Sequence, residues 1–305
     1  MTPIFVLTRA IHIGACLVLF AIFALDRFVA ADARTVESSS RWPMRVREFT
    51  LVLLPVIFIS AIAWFVLVSA TMSGQWPQFE ILKTVWIQTR FGTVWTIRLL
   101  LWLIVVVIAA FAFSKPSRVI QKPAAWLQLI LAGCLLGSLA WAGHGQEDSP
   151  WHLFADILHL LAAGFWPAGL LPFALLLKEL HQSSSPTKWA SMTALVRAFS
   201  ALSLGCVAML AATGMVNAWF LVGSVSNLLH QPYGQWLVLK IILFVAAVAI
   251  GAMNLLRLKP RLAAESSQSK SADALVVQLQ RNVLLEIFLG TAIVLVVAIL
   301  GILPP

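Results

Sequence analysis

The sequence predicts an all-α membrane protein, a polytopic bundle of eight transmembrane helices. Apolar residues make up 61% of its 305 residues and charged residues only 11%. Eight separate apolar runs each approach the ~20 residues that a helix needs to cross a bilayer. No run alternates apolar and polar residues as a membrane β-strand would. We therefore expect one membrane domain over residues 1–305 and no sizeable soluble domain.

The eight predicted spans follow one another with polar connections between them. Their approximate limits are residues 4–25, 49–70, 94–113, 124–142, 152–177, 199–222, 236–256 and 283–302. The first run lacks a basic leader and contains Arg9 and His12, so we expect a retained helix and not a cleaved signal peptide. The two longest polar segments, 26–48 and 259–280, are predicted to be flexible loops.

The basic residues lie mostly on one side of the predicted bundle. Sixteen of the 21 Lys and Arg fall in the connections that follow spans one, three, five and seven, whereas the opposite connections hold only Lys83 and Arg90. The positive-inside rule then predicts that both termini are periplasmic. The net charge of +9 suits anionic lipids as partners. No basic patch with interleaved aromatic residues indicates nucleic acid.

The sequence lacks the motifs of several common classes of protein chemistry. Cys16, Cys134 and Cys206 lie singly in three different spans, which argues against a disulfide framework or a thiolate metal site. The sequence contains no phosphate-binding glycine loop and no serine-nucleophile motif. We therefore expect a protein that is not an enzyme and that does not itself use ATP.

The fifth span concentrates ionisable residues, which are costly inside a membrane and usually functional. At ~100° per residue, His152, Asp156 and His159 share one helix face. His152 and His159 are separated by about 10 Å along the helix axis, so we do not expect all three to bind one ion. A relay, a pair completed by another helix, or Asp156 orienting a ligating histidine remain open. A polar network that only joins helices is a further alternative.

Other polar residues extend this candidate site. His12 lies at a depth similar to that of His159, and the two could hold a metal between them, while Arg9 could neutralise Asp156. Histidine and carboxylate ligands suit copper(II), zinc or iron, so the residues alone predict an intramembrane metal or haem site. Near the opposite membrane face lie Asn254 and Glu286. Polar residues at two depths favour a transporter over a one-sided receptor.

Short motifs recur in order along nearly the whole chain. They are Thr8-Arg9-x-x-His12-x-Gly14, Gly143-His144, Asp156-x-x-His159 with Gly164-Phe165-Trp166, Gly214-x-x-Asn217-Ala218-Trp219, Tyr233-Gly234 with Lys240, Gly251-Ala252-x-Asn254 and Arg281-x-x-x-x-Glu286. In this order they resemble the CopD family of copper-resistance membrane proteins. The resemblance implies an eight-helix bacterial inner-membrane protein that moves periplasmic copper into the cytoplasm, with a periplasmic copper-binding CopC-like protein as partner. The family's usual Trp-x-Gly-Gly is replaced by Trp166-Pro167-Ala168-Gly169, and Pro167 with Pro172 should kink span five.

The residues and the resemblance together give one working hypothesis for copper transport. The resemblance points to six positions: His12, His144, Asp156, His159, Asn254 and Glu286. We expect His144 and His152 to receive copper, His12, Asp156 and His159 to bind it within the bundle, and Asn254 with Glu286 to help it leave. One alternative is a b-type cytochrome or cupric reductase with His12 and His159 as axial haem ligands. Another is a copper sensor or scaffold that transports nothing.

Overall fold

The computed structural model describes residues 2–30, 41–114, 118–142, 149–264 and 270–304. Within these residues every regular element is helical and none is a strand. Eight helical segments are long and apolar enough to cross a membrane. The predicted class, an all-α bundle of eight transmembrane helices, is confirmed.

The helices are numbered along the chain. They are α1 Thr2–Phe28, α2 Trp42–Ser73, α3 Phe79–Gln88, α4 Arg90–Ser114, α5 Arg118–Gly137, α6 Pro150–Phe165, α7 Leu170–Gln182, α8 Lys188–Val222, α9 Val225–His230, α10 Pro232–Met253, α11 Lys259–Ala264 and α12 Lys270–Leu300. A 3₁₀ turn, Ser138–Ala142, extends α5, and a π-helical turn, Asn254–Leu258, joins α10 to α11. Span five consists of α6 and α7 together.

Several helices are longer than hydropathy predicts. Helix α2 begins at Trp42, α8 at Lys188 and α12 at Lys270, each some way before the corresponding apolar run. Hydropathy detects only the part of a helix within hydrocarbon, whereas backbone hydrogen bonds continue into the headgroup region. The loops predicted over residues 26–48 and 259–280 are therefore longer than the connections between helices in the structure. Residues 31–40 and 265–269 of these loops lie outside the described residues.

Two short helices, α3 and α9, were not predicted. Helix α3 buries Val85 against the bundle and leaves Phe79 and Ile87 exposed. Its length of 10 residues is too short to cross a bilayer. A short helix with an apolar outer surface next to a span suits the membrane interface.

Span five is broken between α6 and α7. Pro167 has no backbone N–H to continue the α6 ladder, and a Cβ at Gly169 would collide with the carbonyl oxygen of Phe165. The break over residues 166–169 confirms the kink predicted at Pro167. Pro172 causes no second kink, because it lies in the first turn of α7, where a missing N–H leaves no helix bond unmade.

Helix α1 lies at the centre of the bundle. It packs against α2, α5, α6, α7 and α12, and it buries Leu19, Ile22 and Ala24 almost completely. Helix α10 pairs with α12, and α6 pairs with α8. Because α1 has different neighbours on its different faces, polar residues on those faces lie in different environments.

The orientation of the bundle is open to a direct test. In a variant without native cysteines, we expect Gln75→Cys to react with a membrane-impermeant maleimide in intact spheroplasts. Ser184→Cys, in the connection between α7 and α8, should react only after the membrane is permeabilised, because the Lys and Arg distribution predicts that this connection lies inside. Equal labelling of the two positions in intact spheroplasts would contradict the predicted topology.

Candidate functional site

A cavity of about 220 Å³ lies among α1, α2, α6, α8, α10 and α12. His152, Asp156 and His159 all line it from α6, as expected for residues on one helix face. The other polar side chains that line it are those of Arg9, Asn217, Tyr233 and Lys240. We call this space the histidine cavity.

The His159 ring is oriented by a hydrogen bond to α8. Its Nδ1 lies 2.9 Å from the Oγ1 of Thr213, and that hydroxyl lies 2.6 Å from the carbonyl oxygen of Met209, to which it donates. The hydroxyl therefore accepts a hydrogen bond from Nδ1–H of His159. In the neutral imidazole this bond fixes the tautomer and leaves Nε2 with its lone pair, as in histidines that bind metals.

Asp156 is held by α8 and faces a lysine from α10. Asn217 donates from Nδ2 to Oδ1 of Asp156 at 3.1 Å. The charges of Asp156 and Lys240 attract each other within the cavity. Arg9 is predicted from sequence as a cation that could neutralise Asp156, and the structure places Lys240 in the same cavity as well. The Arg9 guanidinium lies over the ring of Trp64, with its Cζ 4.4 Å from the centroid.

His152 lies near the beginning of α6 and is only 1% exposed. Its ring stacks on that of Phe220 from α8, with the centroids 4.9 Å apart and the planes within 7°. His144, the other histidine expected at the mouth, lies outside the described residues.

The described part of the chain does not contain a complete metal-binding cluster of its own. No three His, Cys, Asp or Glu side chains among the residues that the structure places lie close enough together to hold one ion. This agrees with the axial separation of His152 and His159. A metal at His159 and Asp156 would therefore take its remaining ligands from elsewhere.

His12 lies in a separate polar cluster, against α2 and α4. Its Nε2 accepts a hydrogen bond from the Arg98 guanidinium at 2.7 Å, and its Nδ1 lies 2.9 Å from Oγ of Ser60. Arg98 also donates to the Leu135 carbonyl at 3.0 Å and to Oγ of Ser138 at 2.6 Å. Both ring nitrogens of His12 are thus engaged.

This placement changes what His12 can do. His12 and Arg98 line a different, smaller pocket, which contains neither Asp156 nor His159. A metal held between His12 and His159, or a haem with these two as axial ligands, requires both imidazoles to face one space. The structure does not bring them together. The depth inferred from sequence gave no information on the direction in which each side chain points.

A second cavity, of about 130 Å³, contains the residues predicted near the opposite face. Asn254 donates from Nδ2 to Oε1 of Glu286 at 2.7 Å, and Asn282 donates to Oδ1 of Asn254 at 2.7 Å. Glu286 is only 2% exposed. Asn254 begins the π-helical turn, a feature that often occurs at functional sites. We call this space the Glu286 cavity.

Trp166 connects the Glu286 cavity to the end of α6. It lines the Glu286 cavity, while Ala163, one turn earlier on α6, lines the histidine cavity. The tryptophan is 4% exposed and contacts the ring of Phe244 edge-on, with centroids 6.0 Å apart. It is the first residue of the break between α6 and α7.

Two residues of these networks were missed in the sequence. Thr213 orients His159, and Asn282 extends the Glu286 network. Each was detectable from spacing, because Thr213 precedes Asn217 by four residues and Asn282 precedes Glu286 by four. Residues four apart lie on the same helix face.

The sequence matches two family models from known proteins. Residues 1–154 match the model described as "Copper resistance protein D-like, N-terminal domain", which covers half of the chain. The chain belongs to the CopD family. Residues 193–300 match a second CopD model, "Copper resistance protein D".

Individual relatives agree with this assignment. Copper resistance protein D of Pseudomonas syringae pv. tomato is 29% identical over 253 residues, which cover 79% of each chain. The copper transport protein CutJ of Bacillus subtilis (strain 168) is 31% identical over 172 residues, 55% of this chain and 31% of CutJ. Inner membrane protein YebZ of Escherichia coli (strain K12) is 26% identical over 254 residues, 81% of each chain. No solved structure matches the chain.

These relationships establish a copper-related function for this CopD protein. The names of the relatives refer to copper resistance, copper transport and the inner membrane. Together with eight membrane-capable helices, they identify a multi-pass membrane protein.

Proposed function

We propose that this CopD protein carries copper from the periplasm to the cytoplasm and binds it at His159 and Asp156 in the histidine cavity. The observation that carries this proposal is the His159–Thr213 hydrogen bond of 2.9 Å, which leaves Nε2 of His159 as an available ligand in a cavity that also holds a carboxylate. An oriented imidazole beside a carboxylate is a ligand set for copper(II). The names of the two copper-related relatives support the cargo.

Two polar cavities in one bundle suggest a stepwise path. His152, with His144 as the resemblance implies, receives the ion near the start of α6. His159 and Asp156 bind it next, and Asn254 with Glu286 offer oxygen ligands on its way inward. The break at residues 166–169 interrupts the helix beside Trp166, so a movement of α7 against α6 there requires few backbone hydrogen bonds to be broken.

The remaining parts of the proposal concern partners and chemistry. A periplasmic CopC-like protein would deliver the copper, and anionic lipids would contact the basic face of the bundle. Copper is cargo in this scheme, the protein catalyses no covalent reaction, and nucleic acid has no part in it.

The Glu286 cavity gives a prediction for the inward half of the path. Glu286→Gln should insert and fold normally, because the amide keeps the shape of the side chain and can still bond to Asn254. It should slow copper accumulation, because an amide oxygen is a weaker copper ligand than the carboxylate that Glu286 offers once it has released its proton. Uptake of radioactive copper per amount of membrane-inserted protein measures the effect.

A matched control distinguishes the loss of Glu286 from the loss of a carboxylate elsewhere in the protein. Glu48, on α2, is exposed, and Glu48→Gln removes the same charge without touching the Glu286 cavity. Uptake equal to wild type in the Glu286→Gln variant would remove Glu286 from the transport path.

A further inference from the structure

Arg9 is a buried cation that has no polar partner among the described residues. It is 8% exposed, and among the described residues it makes no hydrogen bond or ion pair. Its contacts are the aromatic faces of Trp64 and Phe5, whose centroids lie 4.4 and 5.9 Å from its Cζ. Ring faces attract the charge but leave the five N–H donors of the guanidinium without acceptors. An unpaired charge inside a membrane bundle is costly and usually has a function.

The cavity that Arg9 lines has more positive than negative charge. Arg9 and Lys240 are its cations, and Asp156 is the carboxylate among its described lining residues. Asp156 is bonded to Asn217 and is attracted by Lys240, so no described carboxylate balances Arg9. The bond to Thr213 places a proton on Nδ1 of His159, so this ring contributes no negative charge. Among the residues that the structure describes, none supplies this negative charge, and a small anion bound from solution would restore the balance.

The position of the Arg9 guanidinium depends on a glycine. Its Nη2 lies where a Cβ of residue 301 would be, so any side chain in place of Gly301 would displace it. Gly301 follows directly after α12, at the rim of the histidine cavity. The Arg9 guanidinium is thus held at the cavity wall by close packing on the backbone of Gly301. Its N–H groups have no acceptor among the described residues.

The size of the cavity and its ligands point to the same kind of occupant. A volume of about 220 Å³ is far larger than the ~10–15 Å³ that a single water requires. No three described His, Cys, Asp or Glu side chains meet around one ion, so copper there needs additional ligands. A bare copper cation would also be repelled by Arg9 and Lys240. A copper ion that arrives with a carboxylate ligand satisfies all three conditions.

We propose that Arg9 forms a subsite for a small carboxylate, which accepts hydrogen bonds from the guanidinium and supplies oxygen ligands to the copper at His159. The guanidinium fork matches the geometry of a carboxylate. The role of this anion beside copper rests on the proposed function, whereas its binding at Arg9 does not require copper.

The subsite is tested first without metal. Copper-free full-length protein in a phosphate-free maltoside detergent is titrated with sodium acetate at constant ionic strength, by calorimetry and by melting temperature. Wild type should show saturable binding and a rise in melting temperature. Arg9→Gln should weaken the binding about 10- to 100-fold, the range expected when hydrogen bonds to a charged group are lost. Lys83→Gln, which removes an exposed cation, should bind acetate as wild type does.

Glycine variants test the same subsite with all charges kept. Gly301→Ala should weaken acetate binding, because the new methyl group displaces the guanidinium, and it should fold, since a flexible side-chain end can move aside. Gly205→Ala is the control, because a Cβ at Gly205 meets no atom within 4 Å. These two variants keep the test decisive if Arg9→Gln does not fold.

Copper is then titrated with and without acetate. Wild type should bind copper more tightly with acetate present, and this gain should be absent in Arg9→Gln. No saturable acetate binding in wild type, or equal binding in Arg9→Gln, would overturn the subsite. If added phospholipid prevented acetate binding in wild type but not in Arg9→Gln, the subsite would be overturned too, because Arg9 would then bind a lipid headgroup. Acetate binding without any copper binding would leave the subsite standing and would refute the proposed function.

Discussion

Replacement of His159 by alanine is expected to abolish specific copper binding by the purified protein. The hydrogen bond from Nδ1 of His159 to Thr213 leaves Nε2 available to bind a metal in the histidine cavity. The described residues offer no alternative metal-binding cluster. A metal site that loses its imidazole keeps only a carboxylate, which is a weak ligand for copper on its own.

Neighbouring substitutions should produce smaller losses in the same measurement. Asp156→Asn removes the anionic oxygen, and Thr213→Val removes the acceptor that fixes the His159 tautomer while keeping the side-chain shape. Each should weaken copper binding by roughly the 10- to 100-fold that loss of an orienting partner causes. The order of effects, with His159→Ala largest, would identify His159 as the ligand and Thr213 as the residue that positions it.

A histidine elsewhere in the bundle provides the control. His181 lies near the end of α7, with its Nδ1 3.9 Å from Oδ1 of Asp273, and it lines neither cavity. His181→Ala should bind copper as wild type does. Copper titration and thermal unfolding should be measured on the same preparations, because a purely structural His159 would lower stability and leave binding per folded molecule unchanged. That second pattern would refute the copper site at α6.

The bundle was predictable because hydrocarbon imposes a strong constraint on sequence. Each span must be apolar over a fixed length, so hydropathy found all eight. The same constraint stops at the headgroups, and it therefore gave no signal for the polar beginnings of α2, α8 and α12. The helix α3 was missed for a related reason, since it is too short to cross the membrane.

The candidate site was only half predictable. Helical periodicity showed that His152, Asp156 and His159 share a face, because all three lie on one helix. Which residues of other helices complete the site depends on how those helices rotate about their axes, which no single sequence pattern reports. Arg9 and His12 illustrate this limit. They lie three residues apart on α1, yet Arg9 lines the histidine cavity and His12 belongs to the cluster around Arg98.

The contrast with His159 leads to a second large effect, this time on stability. His12→Ala is expected to lower the free energy of unfolding, because Nη2 of Arg98 loses its acceptor and Oγ of Ser60 loses a donor in a site where His12 is 1% exposed. A buried hydrogen-bonding group left unsatisfied costs about 1–3 kcal/mol, and more when it is charged, as Arg98 is. The removed imidazole also leaves a void beside Trp64 and Trp95.

His12→Gln should recover part of this loss, since its amide offers both an acceptor for Arg98 and a donor for Ser60. Thermal unfolding of wild type, His12→Ala and His12→Gln in one detergent measures the order. Copper binding per folded molecule should stay unchanged in both variants, the reverse of the pattern expected for His159→Ala. Loss of copper binding in a folded His12→Ala protein would instead show that Arg98 releases the His12 ring, so that His12 joins the copper site as the family resemblance implies.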